Sequence, residues 1–197
     1  MSFQEPLQSA TAQKIETARQ KKDKGDQAYK QGDTKGALMP YHEALMFLKG
    51  LDKNALESIG VGSSAPPPKD KDGKEIKEKT EVDELIEKIY ANMSACHLKN
   101  ENWKRVVATA DQVLSKNETH YKVLYRKGKA LGELGFHEKA VKILEVVKEK
   151  SPADAVAVDE AIAKFRKLDK ESERAHKNKM RGFLNRPEKE KASAADA

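Results

Sequence analysis

The sequence predicts an all-α chain, an α-solenoid of three helix–turn–helix units plus a long C-terminal capping helix. Two observations carry that expectation. Charged residues make up 36% of the 197 residues and aromatics only 6%, which suits long solvent-exposed helices better than a sandwich or barrel. Small and apolar residues also recur at fixed offsets. Gly128, Leu131, Gly135, Ala140, Leu144 and Pro152 have counterparts 34 residues earlier at Ser94, His97, Glu101, Val106, Ala110 and Glu118. A further 69 residues back lie Gly25, Ala28, Gly32, Ala37, Tyr41 and Lys49, so about one repeat's length is inserted between the first and second units.

Taken in order, helices are predicted over 11–31, 34–50, 81–99, 102–116, 118–133, 136–149 and 153–182. In the first unit, Ala37 and Ala44 are small where two helices must approach closely, and Gly32 suits the positive φ that follows a helix end. Thr34 is placed to cap the second helix, and Pro40 then falls beyond its tolerated first turn, which predicts a kink or a lost hydrogen bond. The insertion, about 51–80, carries "GVGSSAPPPKDKDGKE" without hydrophobic period and predicts a loop or disorder. Its proline run reads as linker rather than as a polyproline ligand. In the second unit Ala110 repeats the small position, and Cys96 in "NMSACHLKN" reads as a small buried residue. Gly128, Ala140 and Gly135 repeat the pattern in the third. Val156, Ala157, Ala161, Phe165 and Leu168 give the last helix an apolar stripe to cover the end of the stack. The domain organisation expected is a leading segment 1–17, a repeat domain 18–170 with units about 18–50, 87–118 and 121–152, and a basic helical extension and tail 171–197.

Several function classes are disfavoured. One cysteine allows neither a disulfide framework nor a cysteine metal cluster. The N-terminus has no apolar signal region, and no apolar run approaches membrane-spanning length, so a cytoplasmic protein is expected. His42, His97, His120, His137 and His176 show no metal spacing, and the glycines of "GKALGELG" fall inside a helix rather than a phosphate loop. Neither catalysis nor a cofactor nor a metal is expected. The net charge of +6 is concentrated between Lys164 and Lys191, where 11 Lys/Arg face five Asp/Glu and the rest of the chain is balanced. No aromatic platform accompanies that charge, so nucleic acid is not expected. A monomer is expected rather than an oligomer. One pair stands out. Lys122 and Arg126 are like charges one helical turn apart, mildly destabilising, so their face is either solvated or meets something acidic.

Over roughly residues 18–152 the period and residue preferences resemble the tetratricopeptide repeat, which implies a right-handed α-solenoid. The run "KGDQAYKQGDTKGALMPYHEALMFLKGLD" is similar to the first repeat of the tetratricopeptide repeat protein 9 family. "NMSACHLKNENW" and "YKVLYRKGKALGELGFHEKA" resemble the second and third repeats of the large immunophilins, although about 18 residues before the first repeat leave no room for an isomerase domain. The resemblance implies a carboxylate clamp at Lys22, Asp26, Asn92, Lys122 and Arg126, four of which match the family pattern. Asp26 stands where that pattern has Asn, an acid that would face the ligand's carboxylates. Implied chemistry is a point charge from Lys22, a directional amide from Asn92 and a forked guanidinium from Arg126. Implied function is a co-chaperone-like adaptor binding the acidic Glu-Glu-Val-Asp type C-terminal peptide of heat-shock chaperones of the 70- or 90-kilodalton class. The alternatives are altered peptide specificity through Asp26, or binding of calmodulin or an acidic surface by the basic tail, with Met180, Phe183 and Leu184 as apolar anchors.

Overall fold

The structure, a computed structural model, describes residues 4–51, 80–151 and 155–184. Among these residues the fold is all-α, with helices α1 (Gln4–Lys30), α2 (Leu38–Leu48), α3 (Glu81–Lys99), α4 (Trp103–Leu114), α5 (Tyr121–Glu133), α6 (His137–Lys150) and α7 (Ala155–Leu184). The chain divides into two compact units, one through Arg126 and one from Lys127. The loop expected at 60–75 lies outside the described residues.

In the first unit α1 packs on α2, α3 packs on α4, and α2 also meets α3. The small positions do what the repeat requires: Ala37, Ala44 and Ala110 are fully buried, and Tyr41 is 1% exposed. Tyr41 fits because position 25 is glycine; a methyl there would fall 2.6 Å from the ring edge. Around it lie Ala18, Leu48, Ile89, Met93 and Cys96, and burial pushes the Cys96 thiol up to about 11, which keeps it inert at neutral pH. Ala91, Ala110, Val113 and Val123 join α3, α4 and the start of α5. In the second unit Gly128 sits against Leu144 and Ile143 of α6, and Ala140 and Leu144 are fully buried.

Three local expectations need correction. Thr34 does not cap α2. Its hydroxyl donates to the Asn100 side chain, while the Asp33 carboxylate accepts the Gly36 N–H (2.7 Å) and residues 34–37 form a turn. With α2 starting at Leu38, Pro40 occupies its first turn, where its missing N–H has no intrahelical partner to lose, so no kink is needed. The buried stripe of α7 is Val158, Ile162 and Phe165, with Val156 75% exposed. Spacings of four and three hold those residues on one face, whereas Val156 lies two residues, more than half a turn, from Val158.

Each of the three helix-A ends closes the same way. After α1, Asp33 N–H bonds Ala28 C=O and Gly32 N–H bonds Tyr29 C=O; Asn102 with Glu101, and Phe136 with Gly135, repeat this. The motif needs a left-handed residue, and Gly32 and Gly135 both have φ +88°. The middle copy uses Glu101 at φ 54°. Left-handed backbone costs an L-residue about 1 kcal/mol, less glycine's extra unfolded-state entropy of about 0.5 kcal/mol, so Glu101→Gly is expected to stabilise the fold by roughly 0.5 kcal/mol. Denaturant titration of the two proteins checks this.

Candidate functional site

Five side chains singled out by the sequence lie on α1, α3 and α5, all in the first unit. Residues four apart share a helix face, so Lys22 with Asp26 and Lys122 with Arg126 each present a pair. Lys22, Asn92, Lys122 and Arg126 line one open cavity of about 350 Å3. Asp26 does not line it.

Asp26 sits behind Lys22 and Asn92, with both carboxylate oxygens occupied. Oδ1 accepts from the Tyr41 hydroxyl (2.6 Å) and from Asn92 Nδ2 (2.8 Å), and Oδ2 accepts from Lys22 Nζ (2.6 Å). The acid that the sequence places against the ligand therefore joins α1, α2 and α3 and fixes the orientation of two cavity residues. Burial opposes the Lys22 charge, but hydrogen bonds and attraction from Asp26 and Asp23 outweigh it and raise the ammonium pKa. Burial and the Asp26 carboxylate together drive the Tyr41 phenol far above its ordinary range, so it stays protonated and donates to Asp26.

Arg126 is half-buried rather than exposed. Its Nη1 donates to Ala91 C=O (2.8 Å) and to Ser94 Oγ (3.1 Å), which ties α5 to α3. Ser94 is the second repeat's copy of Gly25 and Gly128, a small position that leaves the guanidinium room. Burial lowers the Arg126 pKa, yet arginine remains a cation in any protein setting. Lys122 is exposed.

Three further ionisable side chains, Lys88, His120 and Glu87, line the same cavity, with Ala91. Lys88 precedes Asn92 by four residues and so shares its face, a signal present in the sequence and not used there. His120 stands at the start of α5. Burial holds its imidazole below the ordinary value, Glu87 pulls the other way, and Arg126 and Lys122 add to the lowering. Glu87 accepts from Asn117 Nδ2 (2.6 Å). The lining thus sets four cations against one carboxylate. Such a surface attracts anions, and its directional donors can orient a carboxylate. Among the described residues, no three His, Cys, Asp or Glu side chains gather as a metal set, and no helix is long and apolar enough to cross a membrane.

No family model matches the chain. It is 28% identical over 159 residues to tetratricopeptide repeat protein 9C of Xenopus tropicalis, covering 76% of this chain and 86% of that protein. It is 44% identical over 57 residues to human zinc finger CCCH domain-containing protein 7A, covering 29% of this chain and 6% of that one. Among solved structures it is similar to the C-terminal tetratricopeptide-repeat-containing domain of a putative FK506-binding protein of Plasmodium falciparum, with a TM-score of 0.65 at 19% identity over 83% of this chain and 95% of that one. It is also similar to the Hsp90 co-chaperone Cns1 of Saccharomyces cerevisiae, with a TM-score of 0.58 at 19% identity over 87% and 45% of the two chains. At these identities the likeness establishes the repeat fold.

Proposed function

We propose that this tetratricopeptide-repeat protein is a cytoplasmic, non-catalytic adaptor whose groove binds the acidic C-terminal peptide of a heat-shock chaperone. The observation that carries the reading is the convergence of Lys22, Asn92, Lys122 and Arg126 from three helices on one open cavity. A peptide ending in Asp brings two carboxylates, and each needs charge-assisted donors at fixed positions. Lys122 and Arg126 tolerate being like charges on one face because the ligand neutralises both. The similarity to a structure described as an Hsp90 co-chaperone agrees with a chaperone-type partner.

Asp26 tests the reading from the opposite direction. Asp26→Asn keeps one acceptor for Tyr41 or Asn92 but removes the charge that holds Lys22. Lys22 then keeps only the longer contact to Asp23 (3.3 Å) and can turn to the ligand, and the groove gains one unit of positive charge. Calorimetry is expected to show about 3- to 10-fold tighter peptide binding, with part of the gain lost at high salt. Stability should fall by about 1–2 kcal/mol as charge-assisted bonds are lost. Weaker binding, with the fold intact, would mean that Asp26 serves the groove by holding Lys22 and Asn92 in place rather than by competing with the ligand for Lys22.

A second reading is supported by a different observation. On α7, residues 170–181 are exposed throughout, and Met180 and Phe183 are 46% and 61% exposed. This basic helix with apolar anchors suits a calmodulin-like or acidic partner, and steep loss of binding with ionic strength would distinguish it from the groove.

A further inference from the structure

Resting on the reading of the groove as a peptide site, we infer that Lys88 and His120 form a second anion subsite. It takes an acidic side chain upstream of the ligand's terminal residue, with uptake of a proton at His120.

The argument starts from the course of the helices. Asn117 bonds Glu87, and Arg126 bonds Ala91 and Ser94. As numbers rise along one element they rise along the other, so α5 runs beside α3 in the same direction. Lys88 and His120 therefore lie toward the N-terminal ends of α3 and α5, with Asn92 and Arg126 further along, and all four line one cavity. Four residues of helix advance about 6 Å, and an extended peptide advances about 3.3 Å per residue. A ligand whose terminal carboxylate meets Asn92 and Arg126 thus places a side chain about two residues upstream near Lys88 and His120.

Lys88 is available for exchange. Its partner Glu84 is 3.5 Å away, and both side chains are more than half exposed; such surface pairs contribute little. His120 is the group whose charge can change. Glu87 from α3 and Lys122 and Arg126 from α5 act on it, and Lys88, paired with Glu84, lines the same cavity from α3. Lys22 of α1 shares the cavity, its charge already engaged by Asp26 and Asp23. Burial and the neighbouring cations keep the imidazole neutral in the free protein at neutral pH. A carboxylate arriving between Lys88 and His120 favours the imidazolium and raises its pKa. The bound state therefore holds more proton than the free state. Affinity rises as pH falls toward the free-state pKa, and the ligand's own carboxylates stay ionised until about pH 4.

The probes are two free-acid octapeptides, one ending Glu-Glu-Val-Asp and one ending Glu-Gln-Val-Asp. Lys88→Gln is expected to weaken the first about 3- to 10-fold and to leave the second within about 2-fold. Between about pH 7.5 and about pH 6, wild-type affinity for the first peptide should rise about 3- to 5-fold, and His120→Gln should flatten that rise. Calorimetry in two buffers of unlike ionisation heat should register the proton taken up. Equal losses for the two peptides, or a pH profile that His120→Gln leaves unchanged, overturns the subsite. The two readings fail separately: an amidated peptide that binds as well as the free acid removes the terminal clamp, whereas dependence on the upstream Glu side chain reports on Lys88 and His120 alone.

Discussion

Lys122→Ala is expected to weaken binding of an acidic, carboxylate-terminated peptide roughly 10- to 100-fold, the about 1.5–3 kcal/mol of a hydrogen bond to a charged group. Because Lys122 is exposed, its melting temperature should hardly move. Arg126→Ala should cost at least as much affinity, and stability as well. Removing the guanidinium takes one donor from Ser94 Oγ and one from the Ala91 carbonyl, which still accepts from the Ser94 hydroxyl (2.7 Å), a loss of about 0.5–1.5 kcal/mol. Read from the sequence alone, both positions are exposed and neither should affect folding; the contacts to α3 separate them. Arg126→Lys sharpens the test, since an ammonium keeps the charge but cannot fork between α3 and a ligand. Peptide titration alongside thermal unfolding of the three variants reads both effects.

The largest stability effect is expected in the second unit, at Phe165. This ring is 1% exposed, stacks on His137 with centroids 6.1 Å apart and planes 17° apart, and covers Gly132. Phe165→Ala leaves a cavity where the backbone already comes close and should cost about 3–5 kcal/mol. The converse substitution probes the same contact. A methyl at Gly132 would fall 2.2 Å from Phe165 Cζ, and the overpacking, about 1–3 kcal/mol, should outweigh the gain of about 1 kcal/mol in helix propensity. Urea unfolding of both variants checks the pair; a neutral Gly132→Ala would mean that the ring is not seated there.

The repeat was legible because its small positions answer to one physical demand. Gly25, Ser94 and Gly128 are small because a neighbouring helix leaves no room, and that demand recurs every 34 residues wherever the units are contiguous. Helix starts were less legible. Thr34 is a good cap by type, but its hydroxyl goes to Asn100, Asp33 closes the 34–37 turn, and α2 starts at Leu38 without a side-chain cap. On α7 two apolar stripes share Phe165, which is buried as expected, and only packing selects Val158 and Ile162 over Val156.

For the candidate site, the resemblance supplied Lys22, Asn92, Lys122 and Arg126, and helix periodicity adds only that residues four apart share a face. It could not show that Asp26 turns away from the cavity, because that depends on a tyrosine 15 residues on and an asparagine 66 residues on. Nor could it show that His120 joins them, since His120 precedes its helix and its carboxylate neighbour Glu87 comes from α3. Lys88 is different. Its spacing from Asn92 is the same as that of Lys122 from Arg126, and the same rule would have found it.

The central claim is that this groove recognises a terminal carboxylate. It is tested most directly by calorimetric titration of the full chain with one octapeptide ending Glu-Glu-Val-Asp, prepared as the free acid and as the C-terminal amide. The account predicts at least about 10-fold tighter binding of the free acid, equivalent to about 1.4 kcal/mol for one charge-assisted contact set. That preference should shrink in Lys122→Ala. Equal binding of acid and amide by the wild-type protein would contradict it.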